Sequence, residues 1–306
     1  RLRAALSRQD WQRTLAWIET LPEELASSER WRYWRARSLQ ELGREGQATE
    51  IYQALAAERS YHGFLAADRA GRGYNLDHTP LKVADELLSR IASDAGLQRA
   101  QELFHLRRLS DARSEWRAAI AELDAAELKA AAKLAQGWGW HAQAIFTLAR
   151  TRYWEDLELR FPVAHQPQID QAAGKRNLDN AWVFAVLRQE SAFAADARSP
   201  AGAMGLMQLM PGTARSTARH LKRRPPRRAE LLLPEINIEL GTAYLRQVLK
   251  QLNDNPVLAT AAYNAGPHRV STWLPSKSAP ADLWVEIIPF KETRSYTQRV
   301  LTYSVI

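Results

Sequence analysis

The run Ala181-Trp-Val-Phe-Ala-Val-Leu-Arg-Gln-Glu190-Ser191, with Ser199-Pro-Ala-Gly-Ala-Met-Gly-Leu-Met-Gln208 just after it, decides how the chain is read. The first stretch predicts a helix opened by Asp179 or Asn180, both good N-cap residues. Val183, Val186, Leu187 and Glu190 fall at i, i+3, i+4 and i+7, so one helical face carries all four. A carboxylate therefore sits on an apolar stripe. Three and four residues either side of it lie Val186, Leu187, Phe193 and Ala194, so no ion pair along the helix accounts for it. Burial and a helix C-terminus both disfavour the charged form, which predicts a raised pKa and an acid able to donate a proton near neutral pH.

In the loop, Gly202, Gly205 and Gly212 permit backbone close to a ligand, and Gln208 brings an amide that both donates and accepts. Met204, Leu206, Met207, Leu209 and Met210 predict an apolar wall, and all three methionines of the chain lie here. Together with a stranded acid, these residues describe a cleft.

The pattern E-S-x-F followed by S-P-A-G-A-M-G-L-M-Q-L-M-P-G-T-A closely resembles the catalytic core of the Slt-type soluble lytic transglycosylases, whose catalytic domain is goose-lysozyme-like. The resemblance continues in Asn237-Ile238 with Gly241 and Tyr244-Leu245, in Ala262-Tyr263-Asn264-Ala265-Gly266-Pro267, and in Glu286-x-Ile-Pro-Phe290-x-Glu292-Thr-Arg294-x-Tyr296. Thr297 stands where the family prefers an aliphatic residue. Upstream, Trp31-Arg-Tyr33-Trp34 and Leu42-Gly-Arg-Glu resemble the family's helical superhelix, and Trp154-Glu-Asp-Leu-Glu-Leu-Arg-Phe-Pro162 its linker domain. The implied fold is mainly all-α: superhelical repeats, a helical linker domain, then a lysozyme-like α-rich catalytic domain. The corresponding boundaries are the C-terminal part of a superhelix at 1–80, the linker at 81–165 and the catalytic domain at 166–306.

Composition agrees with a multi-domain globular chain: 306 residues, 46% hydrophobic and 25% charged, are enough for a substantial core. The absence of cysteine excludes disulfides and thiolate metal sites. The seven histidines show no His-x-x-x-His pair and the chain no calcium-loop spacing, so no metal or other cofactor is expected. The chain opens at Arg1 without a charged-then-apolar leader, and no apolar run approaches the roughly 18 residues of a membrane span, so a soluble chain without a transmembrane segment is expected, either mature or trimmed, any signal peptide lying outside it. A net charge of +8 suits polyanionic surroundings. Its sharpest cluster, Lys222-Arg-Arg-Pro-Pro-Arg-Arg228, reads as a solvated loop with no stacking platform beside it, so nucleic acid is not expected as a partner.

The first 160 or so residues are rich in Ala, Leu, Arg, Glu and Gln and show no β-alternation. Leu42, Ala48 and Tyr52 recur in spacing as Leu106, Ala112 and Trp116, the mark of repeated helix-turn-helix units. Trp11, Trp17, Trp31, Trp34, Trp138 and Trp140 are expected to pack between helices rather than stack on sugar.

Ordinary glycosidases use two carboxyl groups, about 5 Å or about 6.5–9.5 Å apart. From Ser191 to Ala229 the only acid is Asp196, and Glu239, Glu286 and Glu292 are the candidates for a second acid from elsewhere. The resemblance implies a different solution: one catalytic glutamate, Glu190, with the 2-acetamido group of the sugar supplying the missing nucleophile. The implied activity is cleavage of the β-1,4 bond between N-acetylmuramic acid and N-acetylglucosamine with formation of a 1,6-anhydro ring. A goose-type hydrolase and a non-catalytic wall-binding scaffold are the rivals. By matched motif, Ser199, Met207, Gln208, Tyr263, Asn264 and Glu286 are the expected substrate-binding residues, the Met207 backbone included. Glu292, Arg294 and Tyr296 are expected to form an internal ion-pair and packing cluster. The implied partners are peptidoglycan glycan strands, with other cell-wall enzymes as further candidates, and the implied location is the periplasm.

Overall fold

The structure, a computed structural model, describes residues 1–275 and 278–306. Among them are twenty α-helices and one short 3-10 segment, and the only β pairing is two isolated bridges in the loop after Ser191. The mainly α expectation is met. No helix among the described residues is long and apolar enough to cross a membrane.

The chain divides into two compact units: residues 1–77 with 247–305, and residues 78–246 with Ile306. In the first unit, the helices Glu29–Glu41, Glu45–Leu55 and Tyr61–Ala70 build a core around Tyr33, Trp34, Tyr52 and Leu55, joined by Leu283 from the helix Ala281–Ile287. In the second, Trp116, Trp140, Leu97 and Leu148 centre the core of its helical hairpins.

The repeat seen in the sequence has a backbone cause. The helix Glu29–Glu41 ends at Gly43 (φ 75°), and the next helix starts at Glu45. The helix Ala95–His105 ends the same way at Arg107 (φ 60°) before Leu109–Ala119, and Ala125–Gly137 at Gly139 (φ 75°) before His141–Arg150. Each left-handed residue lets the following N–H reach back to a carbonyl of the last turn: Arg44 to Leu39, Arg108 to Leu103 and Trp140 to Ala135, all at 2.9 Å. The expected pairs Ala48/Tyr52 and Ala112/Trp116 are all buried, while Leu42 and Leu106 lie exposed at the turns. Of the expected packing tryptophans, Trp34 and Trp140 are buried, and Trp11, Trp31 and Trp138 pack on the cores from their edges.

Candidate functional site

The helix Asn180–Ser191 is capped by Asp179, whose carboxylate accepts from the N–H groups of Ala181 (2.7 Å) and Trp182 (3.4 Å). Val183, Val186 and Leu187 are fully buried, and Glu190, the next residue on that face, is half-buried. The acid thus stands where the buried stripe runs out, one residue before the helix ends. Ala192 (φ 48°) and Phe193 (φ 67°) then both take left-handed conformations, which turn the chain sharply away.

Ser191 fixes what comes next. Its hydroxyl bonds the carbonyl of Leu206 at 2.8 Å as well as that of Leu187 in its own helix at 3.2 Å. The loop 197–209 is a compact cross-braced turn in which Met204 and Leu209 exchange both backbone hydrogen bonds at 3.0 Å and Gly205 N–H donates to Ala197 at 2.9 Å. The Ser199 hydroxyl accepts from the N–H of Ala203 at 3.0 Å, closing its near end.

Asn237, from the helix Pro234–Gln251, pins the loop from beneath. It is wholly buried; its amide nitrogen donates to Met204 (2.9 Å) and Leu231 (2.7 Å), and its oxygen accepts from Met207 N–H (2.7 Å). A Cβ on Gly205 (φ 78°) would collide with that amide and with the Leu231 carbonyl. Gly241, in the same helix, gives the Met207 side chain its space. Asn237 was legible only as part of a motif; its bracing role depends on a fold contact across 30 residues.

Several expected roles look different in this geometry. Met204, Leu206, Met207 and Leu209 are at most 2% exposed, so the apolar residues form the underside of the loop, with only Met210 turned outward. Of the Met207 backbone, expected at the substrate, the N–H is donated to Asn237. Gly205 accommodates a protein side chain, where a ligand was expected. Gln208 (φ 45°) is half-buried and spends its amide hydrogens on Ala197 (3.2 Å) and Gly205 (2.8 Å), so its carbonyl oxygen is the part left to accept a further hydrogen bond. Ser199 is half-buried, beside the exposed Arg198 and Pro200.

The other expected residues belong to the first unit. Tyr263 is 9% exposed in the helix Pro256–Ala265, and the side-chain oxygen of its half-buried neighbour Asn264 accepts from the Thr293 hydroxyl at 2.8 Å. Glu286, expected to face sugar or its peptide, is 1% exposed and enclosed by cations: Arg30 grips both its oxygens, Arg3 lies at 3.6 Å, and Trp34 donates to it at 3.3 Å. Beside it, Asp282 accepts from Tyr33 (2.7 Å), Arg69 (2.8 Å) and Arg37 (3.2 Å). Burial acts to raise the Asp282 pKa, but the Tyr33 hydroxyl and the two guanidiniums outweigh it and hold the carboxyl below its ordinary value. The expected Glu292–Arg294–Tyr296 cluster is corrected in one member. Arg294 and Tyr296 are buried, but Glu292 is exposed, and the acid whose field acts on Arg294 is Glu286. Thr297 is fully buried and returns its hydroxyl to the Thr293 carbonyl at 2.8 Å, which is how a polar side chain fits a place suited to an aliphatic one.

Two of the acids that the sequence offers beside Glu190, Asp196 and Glu239, are committed to cations. Asp196 makes a two-pronged pair with Arg113 at 2.7 and 3.3 Å, and Glu239 pairs with Arg223 and, at 3.9 Å, with Arg176. No group of three or more His, Cys, Asp and Glu among the described residues is arranged to hold a metal ion.

A family model of the transglycosylase SLT domain matches residues 167–283, and one of the soluble lytic murein transglycosylase L domain matches residues 90–157. Over 99% of its length the chain is 37% identical to the soluble lytic murein transglycosylase of Salmonella typhimurium and 36% identical to that of Escherichia coli K12. It spans about half the length of these curated relatives, 47% of each. Among solved structures, an inactive Glu-to-Gln mutant of the lytic transglycosylase Slt from Pseudomonas aeruginosa matches with a TM-score of 0.94 and 45% identity, over 99% of this chain and 50% of that one. The 70 kDa soluble lytic transglycosylase of Escherichia coli matches with a TM-score of 0.92 and 35% identity, over 99% and 49%.

Proposed function

The chain belongs to the Slt-type soluble lytic transglycosylase family, and from that premise we propose that it cleaves the β-1,4 bond between N-acetylmuramic acid and N-acetylglucosamine in peptidoglycan without consuming water. Protonated Glu190 donates to the bridging oxygen as the bond to C1 breaks. The 2-acetamido group of the muramic residue shields the positive charge left at C1. Glu190, now a carboxylate, takes the proton of the C6 hydroxyl as that oxygen attacks C1, and the 1,6-anhydro ring closes. The glutamate is returned to its acid form, so the proton balance closes on one residue.

The observation that carries this reading is the position of Glu190 at the end of a buried helical face, next to a serine that ties the same helix to the loop 197–209. The engagement of Asp196 and Glu239 with arginines supports a one-carboxylate scheme over a two-carboxylate one. That a Glu-to-Gln exchange is named as inactivating in the Pseudomonas relative supports it too. On this reading Gln208 presents its carbonyl oxygen to the sugar's acetamido N–H, Ser199 flanks it, and Met207 acts from beneath by shaping the loop. Tyr263, Asn264 and Glu286 are assigned to the substrate by their motifs alone. Residues 81–165 would serve as the L-type linker and 166–306 as the catalytic domain, and the protein would work on glycan strands in the periplasm.

Two measurements test the reading. Mass spectrometry of digested peptidoglycan should give muropeptides one water lighter than hydrolysis products; reducing ends would make the protein a hydrolase. Glu190→Gln should lower turnover by at least about a hundredfold with an unchanged melting temperature, and undiminished turnover would remove Glu190 from the mechanism.

A further inference from the structure

The second unit contains a cavity of about 630 Å³, inside the range of about 300–1,000 Å³ usual for small-molecule sites. Glu190, Ser199 and Gln208 are absent from its described lining, although Phe193 to Asp196, the segment that leaves the acid helix, form one side. Phe104 stacks on Trp140 with ring centroids 4.9 Å apart and planes 19° from parallel, giving the cavity a flat apolar wall.

Its charged and titratable groups are Arg107, His141, His165, Asp196 and Glu235. Asp196 is already neutralised by Arg113. Arg107 is exposed, has no carboxylate partner among the described residues, and is delivered by its left-handed turn. The two histidines are half-buried: His141 opens the helix His141–Arg150, and His165 (φ 58°) precedes the helix Gln166–Gly174. Burial lowers the pKa of both; His165 depresses His141 further, whereas Glu235 pulls His165 back up. Near neutral pH, then, Arg107 is the fixed cation and the imidazoles are neutral hydrogen-bonding groups that gain charge on acidification.

We propose that this cavity binds a short peptide with a free terminal carboxylate, the carboxylate meeting Arg107, His141 and His165, an apolar side chain lying on Phe104, and the amino end facing Glu235. A small inorganic anion would answer Arg107 but leave the aromatic wall and Glu235 without partners. A purely apolar ligand would leave Arg107 unanswered. The proposal rests on the peptidoglycan reading only for the source of such peptides, the stems of the wall.

Calorimetry with the synthetic tetrapeptide Ala-Glu-Lys-Ala and its C-terminal amide, on the whole chain, tests it. Loss of one charge-assisted contact should weaken binding about tenfold, both for the amide and for Arg107→Ala. Binding of the free acid should strengthen from pH 7.5 to pH 5.5, and the double variant His141→Gln, His165→Gln, checked for fold by circular dichroism, should lose that dependence. Equal affinity for acid and amide, an unaffected Arg107→Ala, or no heat at millimolar peptide at either pH would each overturn the proposal. Glu190→Gln should bind the peptide as the unaltered chain does, so failure of the catalytic reading and failure of this one are separately visible.

Discussion

Asn237 has no exposure to solvent, yet every hydrogen bond recorded for its amide goes to the backbone around the candidate site. Replacing it by alanine strands one N–H and removes a donor from two carbonyls in the interior, at a cost of about 3 kcal/mol, readable as a fall in chemical-denaturation midpoint. Asn237→Asp should be no milder, since a carboxylate oxygen would then oppose the carbonyls of Met204 and Leu231. Gly205→Ala should also destabilise, because the added methyl meets that amide on a backbone that L side chains rarely adopt. Residues of this kind were hard to read in advance. Glu190 announced itself as a charge on an apolar stripe, a contradiction visible within ten residues. Asn237 contradicts nothing locally, and its partners lie up to 33 residues away.

At the level of elements, the Ser191 hydroxyl ties the acid helix to the loop. Ser191→Ala should cost about 1 kcal/mol and speed hydrogen exchange at the loop amides, while leaving exchange in the first turns of helix 180–191 unchanged. The left-handed turns make a matching prediction: Gly139→Ala should lose about 1–2 kcal/mol in thermal unfolding, since the new side chain must occupy φ 75°. Helix 180–191 and the repeated hairpins were legible because period, caps and turn residues are local signals. In the sequence the apolar loop residues suggest a cleft wall, because composition gives polarity but not direction. The two bridges that turn Met204 and Leu209 inward set that direction, and they are contacts of the folded loop.

On the scale of the molecule, the first unit is made of segments far apart in the chain, and a buried ionic cluster joins them. Asp282→Asn would leave Arg69 without its carboxylate and Arg37 with Glu41 alone, and should cost about 3 kcal/mol near neutral pH. Because the folded-state carboxyl is held below the ordinary 3.8, this contribution is complete above that value and fades as pH falls through the lower one. The stability gap between the two proteins should therefore narrow at strongly acid pH, and a gap that is constant with pH would show that Asp282 acts by packing alone. Glu286 belongs to the same scale: a charge in a late motif carries no local sign of its partner Arg30, which lies 256 residues earlier. Residues 1–77 read as helical correctly, but nothing in their periodicity says which later segment completes their core.

That separation has a temporal side. Tyr33 and Asp282 are 249 positions apart, and a ribosome adding about 5–20 residues each second needs roughly ten to fifty seconds to pass from one to the other. Throughout that interval Tyr33 and Arg69 have been synthesised while the carboxylate that both contact has not, so the nascent helices must wait, accessible to chaperones, until the ribosome reaches the far side of the pair.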